Sequence, residues 1–133
     1  MNTARILIVE DEAVTVAALK REVAFLGYQV VGTTDTAEDS FRIAEREKPD
    51  LVLMDITLAG KLDGVAAATA IRGSLGLPVV FLTAHGDDAT MKRAMLAGPF
   101  GYLLKPFGRL ELKAAIEVAL HKHRTESERA GSA

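Results

Sequence analysis

The chain has no cysteine among its 133 residues. That excludes a disulfide framework and thiolate chemistry, and a reducing cytoplasm is the compartment expected. It has no apolar run near the roughly 20 residues that a membrane-spanning helix needs, so no membrane role is expected. Its first residues, Met1-Asn2-Thr3-Ala4-Arg5, lead straight into a strand-like run without a signal-peptide layout. Net charge is small, −2 at pH 7 with a sequence pI near 5.9, which argues against nucleic acid as a direct partner. Neither Gly-x-Gly-x-x-Gly nor Gly-x-x-x-x-Gly-Lys-[Ser/Thr] is present to cradle nucleotide phosphates. There is no internal repeat and no low-complexity segment. What is left, 49% hydrophobic and 26% charged, has the composition and length of one domain able to bury its own core.

The most informative stretch is Leu51-Val52-Leu53-Met54-Asp55. Four apolar residues follow Pro49 too closely for a helix and read as a strand buried on both faces, which belongs inside a parallel sheet. The run stops on a carboxylate. In open parallel sheets the working crevice lies beyond the carboxyl ends of the strands, so Asp55 sits where chemistry is done. Three other short runs read the same way. Ile6-Leu7-Ile8-Val9 stops at Glu10-Asp11-Glu12, Val79-Val80-Phe81-Leu82 at Thr83-Ala84, and Gly101-Tyr102-Leu103-Leu104 at Lys105-Pro106. Gln29 to Thr33 supplies one more strand.

Helices fill the intervals. The first runs to about Leu26 with Thr15, Leu19, Val23 and Leu26 as its core stripe, and Gly27 ends it. Thr36 with Asp39 resembles a capping box opening the second. An alanine-rich helix follows Gly64 to about Arg72, another spans about Ala89 to Leu96, and the last runs from about Arg109 to His123. Its inward residues are Leu112, Ile116, Ala119 and Leu120. Gly108 and Glu111 sit where a capping box would, although glycine offers no capping oxygen. Residues 1–124 form the expected domain, and 125–133 a polar tail expected to be disordered. Alternating strands and helices predict an α/β fold, a flavodoxin-like (βα)5 doubly wound parallel sheet with strand order 2-1-3-4-5.

Such a fold gathers Glu10, Asp11, Asp55, Thr83 and Lys105 at one rim. Close carboxylates cannot all ionise unaided: a pKa must rise or a cation must be present. An oxygen-only ligand set suits Mg²⁺. A carboxylate beside a divalent ion, a lysine and a hydroxyl suits phosphoryl transfer, with the carboxylate as nucleophile.

Ile6-Leu7-Ile8-Val9-Glu10-Asp11-Glu12, Leu53-Met54-Asp55, Leu82-Thr83-Ala84 and Gly101-Tyr102-Leu103-Leu104-Lys105-Pro106-Phe107 together resemble the receiver domain of bacterial two-component response regulators, over about residues 4 to 122. The resemblance implies a phosphorelay switch rather than an enzyme of rapid turnover. Asp55 would accept a phosphoryl group from a phosphohistidine on a sensor histidine kinase or a histidine phosphotransfer protein. Glu10, Asp11, Asp55 and the Thr57 carbonyl would hold Mg²⁺, and Lys105 would pair with the phosphoryl group. Thr83 and Tyr102 would move together and repack the face of helix 4, strand 5 and helix 5 for a downstream protein. Lys105–Pro106 would be cis, and the chain a monomer or weak homodimer. Two departures stand out: Ala59 replaces a proline usual four residues after the aspartate, and Asp63-Gly64 come one residue late. No output domain follows His123, so the chain either works alone or belongs to a longer one.

Plainer readings stand beside these. Glu10-Asp11-Glu12 also suit a helix start, Thr83 a cap, Tyr102 ordinary strand packing, and His121 and His123 the C-terminal end of a helix. His85, two residues after Thr83, is a surface histidine or, with Thr57, a gate for hydrolytic water. Val14, Ala18 and Phe25, with Ala17 nearby, flank the first helix as a core satellite or a docking patch for a kinase helix. An aspartyl-phosphate phosphatase would place a second acid where Thr57 stands. Nucleotide or flavin binding lacks its glycine motif.

Overall fold

Continuous apolar runs are satisfied only where both faces of a strand are covered, and three of the five strands meet that condition. The computed structural model describes residues 3–56, 58, 64–84 and 88–132. In chain order its elements are β1 (Arg5–Val9), α1 (Ala13–Phe25), β2 (Gln29–Thr34), α2 (Ala37–Glu47), β3 (Leu51–Asp55), α3 (Gly64–Ala70), β4 (Val79–Thr83), α4 (Asp88–Leu96), β5 (Gly101–Leu104) and α5 (Arg109–Ser132). All strand pairs are parallel and the order is β2-β1-β3-β4-β5, as the sequence predicts.

Alternate side chains of the central strands feed two cores. Leu7, Val9, Val52, Met54, Val79 and Phe81 pack under α2, α3 and α4. Ile6, Ile8, Leu51, Leu53, Val80 and Leu82 pack against Leu19 and Val23 of α1 and Leu112, Ile116 and Ala119 of α5. Each fully buried aliphatic side chain contributes about 1.5–3 kcal/mol, which fixes the strand register and hence where each strand ends. β1 and β3 pair Val9 with Met54, β3 and β4 pair Asp55 with Leu82, and β4 and β5 pair Thr83 with Leu104.

The helix ends follow local chemistry. Gly27, at φ 93°, closes α1. Thr36 Oγ1 accepts the Asp39 N–H at 3.2 Å to open α2, and Glu111 Oε1 accepts the Gly108 N–H at 3.1 Å to open α5. Lys48 caps α2 in the left-handed region at φ 48°, a conformation that costs a β-carbon-bearing residue about 1 kcal/mol. Lys48→Gly is therefore expected to raise unfolding free energy by about 0.5–1 kcal/mol after its own chain-entropy cost. Urea denaturation checks this, and a loss of stability would contradict it.

Two helices differ from the sequence reading. The helix expected to reach Arg72 closes at Ala70 and widens into a π-helical turn, Ile71–Leu75, ended by Gly76 at φ 68°. Gly73 and Ser74 favour a tight helical turn only weakly. Arg72 is also drawn aside: its Nε donates to Gly98 O at 2.9 Å and its guanidinium stacks 4.2 Å from the Phe100 ring centre. The last helix runs past His123 to Ser132, so residues 125–132 are helical rather than the disordered tail expected. No proline interrupts that stretch. His123 Nε2 reaches Gly76 O at 2.8 Å, Thr125 Oγ1 donates to His121 O at 3.0 Å, and Arg72 lies 3.9 Å from Glu126.

Candidate functional site

The register brings the ends of β1, β3, β4 and β5 to one rim. Asp55 and Thr83 are the last residues of β3 and β4, and Glu10 and Lys105 follow β1 and β5 directly. Because the strands feeding them are buried, Glu10, Asp55 and Thr83 are buried too, at 2%, 4% and 5% exposure. Asp11 is exposed, one residue farther out. Carboxylate oxygens of Glu10, Asp11 and Asp55 all lie within 4.8 Å of one another. Lys105 closes the group: its Nζ donates to Glu10 Oε1 at 2.5 Å and to Asp55 Oδ2 at 3.3 Å. Glu10 Oε2 accepts the Glu12 N–H at 3.1 Å, which ties the turn after β1 to the cluster.

The electrostatics follow from that crowding. Burial first, then the shared hydrogen bond and the charge of Asp55, push the Glu10 carboxyl up to about 7, while Lys105 and the Glu12 N–H pull the other way. Burial opposes the Lys105 charge, yet its bond to Glu10 and the charges of Asp55 and Glu10 hold the ammonium above its ordinary value. Three carboxylates and one lysine leave the pocket short of positive charge. The donor set fits a hard divalent cation such as Mg²⁺: oxygen atoms alone, clustered within reach of one ion, with an exposed side at Asp11 through which water can complete the coordination.

The remaining expected residues separate into three groups. Lys105–Pro106 is cis. Tyr102 is half-buried, opposite Phe81 in the β4–β5 register and 6.2 Å from it between ring centres, and burial raises its phenol above the usual range. Thr57, Ala59, Asp63 and His85 lie outside the described residues. His123 is engaged with Gly76 O and lies 6.1 Å from the Phe100 ring, a packing role at the far end of the sheet.

The flank of α1 is more structured than its sequence indicates. Phe25 is 65% exposed, but the Arg109 guanidinium lies 3.6 Å above its ring, and Arg109 also binds Glu22 through Nε–Oε2 at 2.5 Å and NH2–Oε1 at 3.3 Å. This clamp of α1 to α5 favours packing over docking for Phe25. Val14, 79% exposed, instead borders a groove shared with Ala18, Pro106 and Phe107 beside the acidic pocket. The sequence signal was weak: Glu22 and Arg109 lie 87 residues apart, and only the fold pairs them.

Comparison with known proteins agrees with this geometry. The chain is 38% identical over 120 residues to the transcriptional regulatory protein PdtaR of Mycobacterium tuberculosis, covering 90% of this chain and 58% of that protein. It therefore spans little more than half the length of that curated relative. The solved receiver domain of a modulated diguanylate cyclase from Desulfovibrio desulfuricans superposes with a TM-score of 0.90 at 40% identity, covering 94% of this chain and 99% of that one. The receiver domain of a Pseudomonas aeruginosa sensor histidine kinase, solved with a magnesium ion coordinated in its active-site cleft, gives 0.81 at 32% identity, over 90% and 99% of the two chains. The family model for the response regulator receiver domain matches residues 6–117. With the strand order, the acidic rim and the sequence match in agreement, the chain belongs to the response regulator receiver domain family, the receiver of two-component signalling.

Proposed function

We propose that Asp55 is the phosphoryl acceptor of this receiver domain, in a relay fed by a phosphohistidine on a sensor histidine kinase or a histidine phosphotransfer protein. The observation that carries the reading is Asp55 itself: a carboxylate at 4% exposure, ending the central strand, with Lys105 Nζ 3.3 Å away. An Asp55 carboxylate oxygen attacks phosphorus, the N–P bond of the donor breaks, and the imidazole departs with a proton. Glu10, Asp11 and Asp55 would hold Mg²⁺, with the Thr57 carbonyl as a further ligand. Bound there, the ion supplies the positive charge that offsets the phosphoryl oxygens. Lys105 releases part of its hold on Glu10 and pairs with the incoming group, and the Thr83 hydroxyl donates to another phosphoryl oxygen.

Occupancy of that site draws Thr83 inward and lets Tyr102 turn in behind it, repacking the α4–β5–α5 face. Leu104 and Val118 expose 53% and 50% of their surface and border one groove with Tyr102 on the β5–α5 part of that face, an apolar surface suited to a downstream protein. The groove at Val14, Ala18, Pro106 and Phe107 offers the donor's helix a seat beside the acceptor. Phe25→Ala is expected to leave the phosphotransfer rate unchanged, since Arg109 already covers that ring.

An acyl-phosphate donor added with Mg²⁺ tests the reading. Stoichiometric labelling is expected, and continuous phosphate release at many turnovers per second would instead indicate a phosphatase.

The raised Glu10 pKa gives metal binding a defined pH dependence. With a folded value of about 7 against an ordinary 4.5, Glu10 carries a proton in the folded state across that window. Its contribution to stability is fully present below the lower value and fades as pH rises through the upper one. Mg²⁺ must displace that proton, so affinity is expected to rise about tenfold per pH unit up to about 7 and then level off. Calorimetric titration in buffers of different ionisation enthalpy counts the protons released. A flat profile below neutrality would contradict the assignment of Glu10.

A further inference from the structure

We infer that Gly64 is a positioning residue for Asp55, and that the absence of a side chain there keeps the acceptor in register; this rests on the proposed role of Asp55. Gly64 opens α3, nine positions after Asp55 closes β3, and it is buried. Its N–H donates to Ile56 O at 3.1 Å, and the Ile56 N–H donates in turn to Leu82 O at 3.0 Å on β4. The start of α3 is thus fastened to the residue after the acceptor, and that residue to the neighbouring strand.

A β-carbon on Gly64 would collide with the Asp55 carbonyl oxygen and would lie 3.0 Å from both the Asp55 carbonyl carbon and Ile56 Cα. These are backbone atoms and cannot rotate aside. Neither α3 nor β3 has room to retreat as a whole. Behind Gly64, Val65 and Ala68 are 5% and 0% exposed in the core, so α3 cannot back away without opening it. Asp55 lies in the middle of the sheet, between β1 and β4. The displacement must fall on the Asp55–Ile56 peptide, at the residue whose carboxylate Lys105 meets at 3.3 Å. Gly73 provides the contrast, because a β-carbon there meets nothing within 4 Å.

The test compares Gly64→Ala and Gly73→Ala with the unaltered chain, each at a temperature where circular dichroism shows it folded. For Gly64→Ala, Mg²⁺ affinity by calorimetry is expected to fall about tenfold or more, as when a supporting contact of a metal site is lost. The acyl-phosphate labelling rate is expected to fall about a hundredfold, the cost of a misplacement near 1 Å. Amide chemical shifts at Asp55 and Ile56 should move, while those of β1 stay in place. Gly73→Ala should match the unaltered chain in all three. Gly64→Ala that folds and keeps the unaltered Mg²⁺ affinity and labelling rate would overturn the inference. If Gly64→Ala does not fold, hydrogen exchange of the unaltered chain decides: the Gly64 amide should exchange only with global unfolding, and fast, loop-like exchange would overturn the fastening. If the unaltered chain takes no label but Gly64→Ala still loses Mg²⁺ affinity, the relay reading fails and the positioning role stands.

Discussion

Asp55→Asn will fold, and it will take up no phosphoryl group. The substitution keeps the side chain's shape and an oxygen facing Lys105, 3.3 Å away in the unaltered protein, so the packing at the end of β3 is preserved. What disappears is the attacking carboxylate, and removing the reacting atom itself costs about 10⁴-fold or more in rate. Stability should move the other way. The shared hydrogen bond and the charge of Asp55 rank among the causes holding Glu10 near 7, so Asn at position 55 lets Glu10 ionise more easily and relieves repulsion in the buried cluster. Above neutral pH, Asp55→Asn is therefore expected to be at least as stable to urea as the unaltered chain. Labelling that survives the substitution would place the acceptor elsewhere.

Lys105→Met is expected to separate metal binding from phosphoryl transfer. The ammonium bonds two of the three carboxylates that would hold Mg²⁺, at 2.5 Å to Glu10 and 3.3 Å to Asp55, so it competes with the ion for the same oxygens. Removing it leaves the pocket more negative. Its loss also lets the Glu10 value rise above about 7, because the bond to Lys105 holds it down. Mg²⁺ should therefore bind more tightly at a pH above that raised value, where Glu10 is ionised. Labelling should nevertheless slow by about 10²–10³-fold, because the donor aimed at the transferring oxygens is gone. A lysine that merely propped the loop would lower both quantities together. Calorimetry and labelling on one preparation distinguish the two outcomes.

Much of the rim could be read in the sequence because side-chain chemistry changes from apolar to polar at one residue. Leu53-Met54-Asp55 passes from buried aliphatic side chains to a carboxylate in a single step. The buried runs before Glu10 and Thr83 likewise end on a polar group, and the partly exposed run Gly101–Leu104 ends on Lys105. A parallel sheet turns four such steps into one pocket, so topology needed only the strand order. Quantities set by long-range partners were less visible. Glu10 and Asp11 are adjacent in sequence, yet one is buried against Lys105 and the other exposed, and only the contact across 95 positions decides which. The flank with Phe25 reads in sequence as a core satellite or a docking patch, and only Arg109, lying over the ring, favours packing. The π-helical turn at Ile71–Leu75 and the continuation of α5 to Ser132 depend on Arg72, Gly76, Phe100 and His123 meeting at the far end of the sheet. No local periodicity encodes that meeting. Gly64 was visible as a loop glycine one position late, but its contact with the Asp55 carbonyl is a matter of three dimensions.

The phosphoryl group is expected on the Asp55 carboxylate, enclosed by Glu10, Asp11 and Lys105. Borohydride reduction of the labelled protein converts an acyl phosphate to the corresponding alcohol, and peptide mass spectrometry then locates the converted residue. Conversion is expected at position 55 alone, in amounts that follow the added Mg²⁺ and vanish with a chelator. Conversion at Asp11, or at any residue outside the pocket, would contradict it.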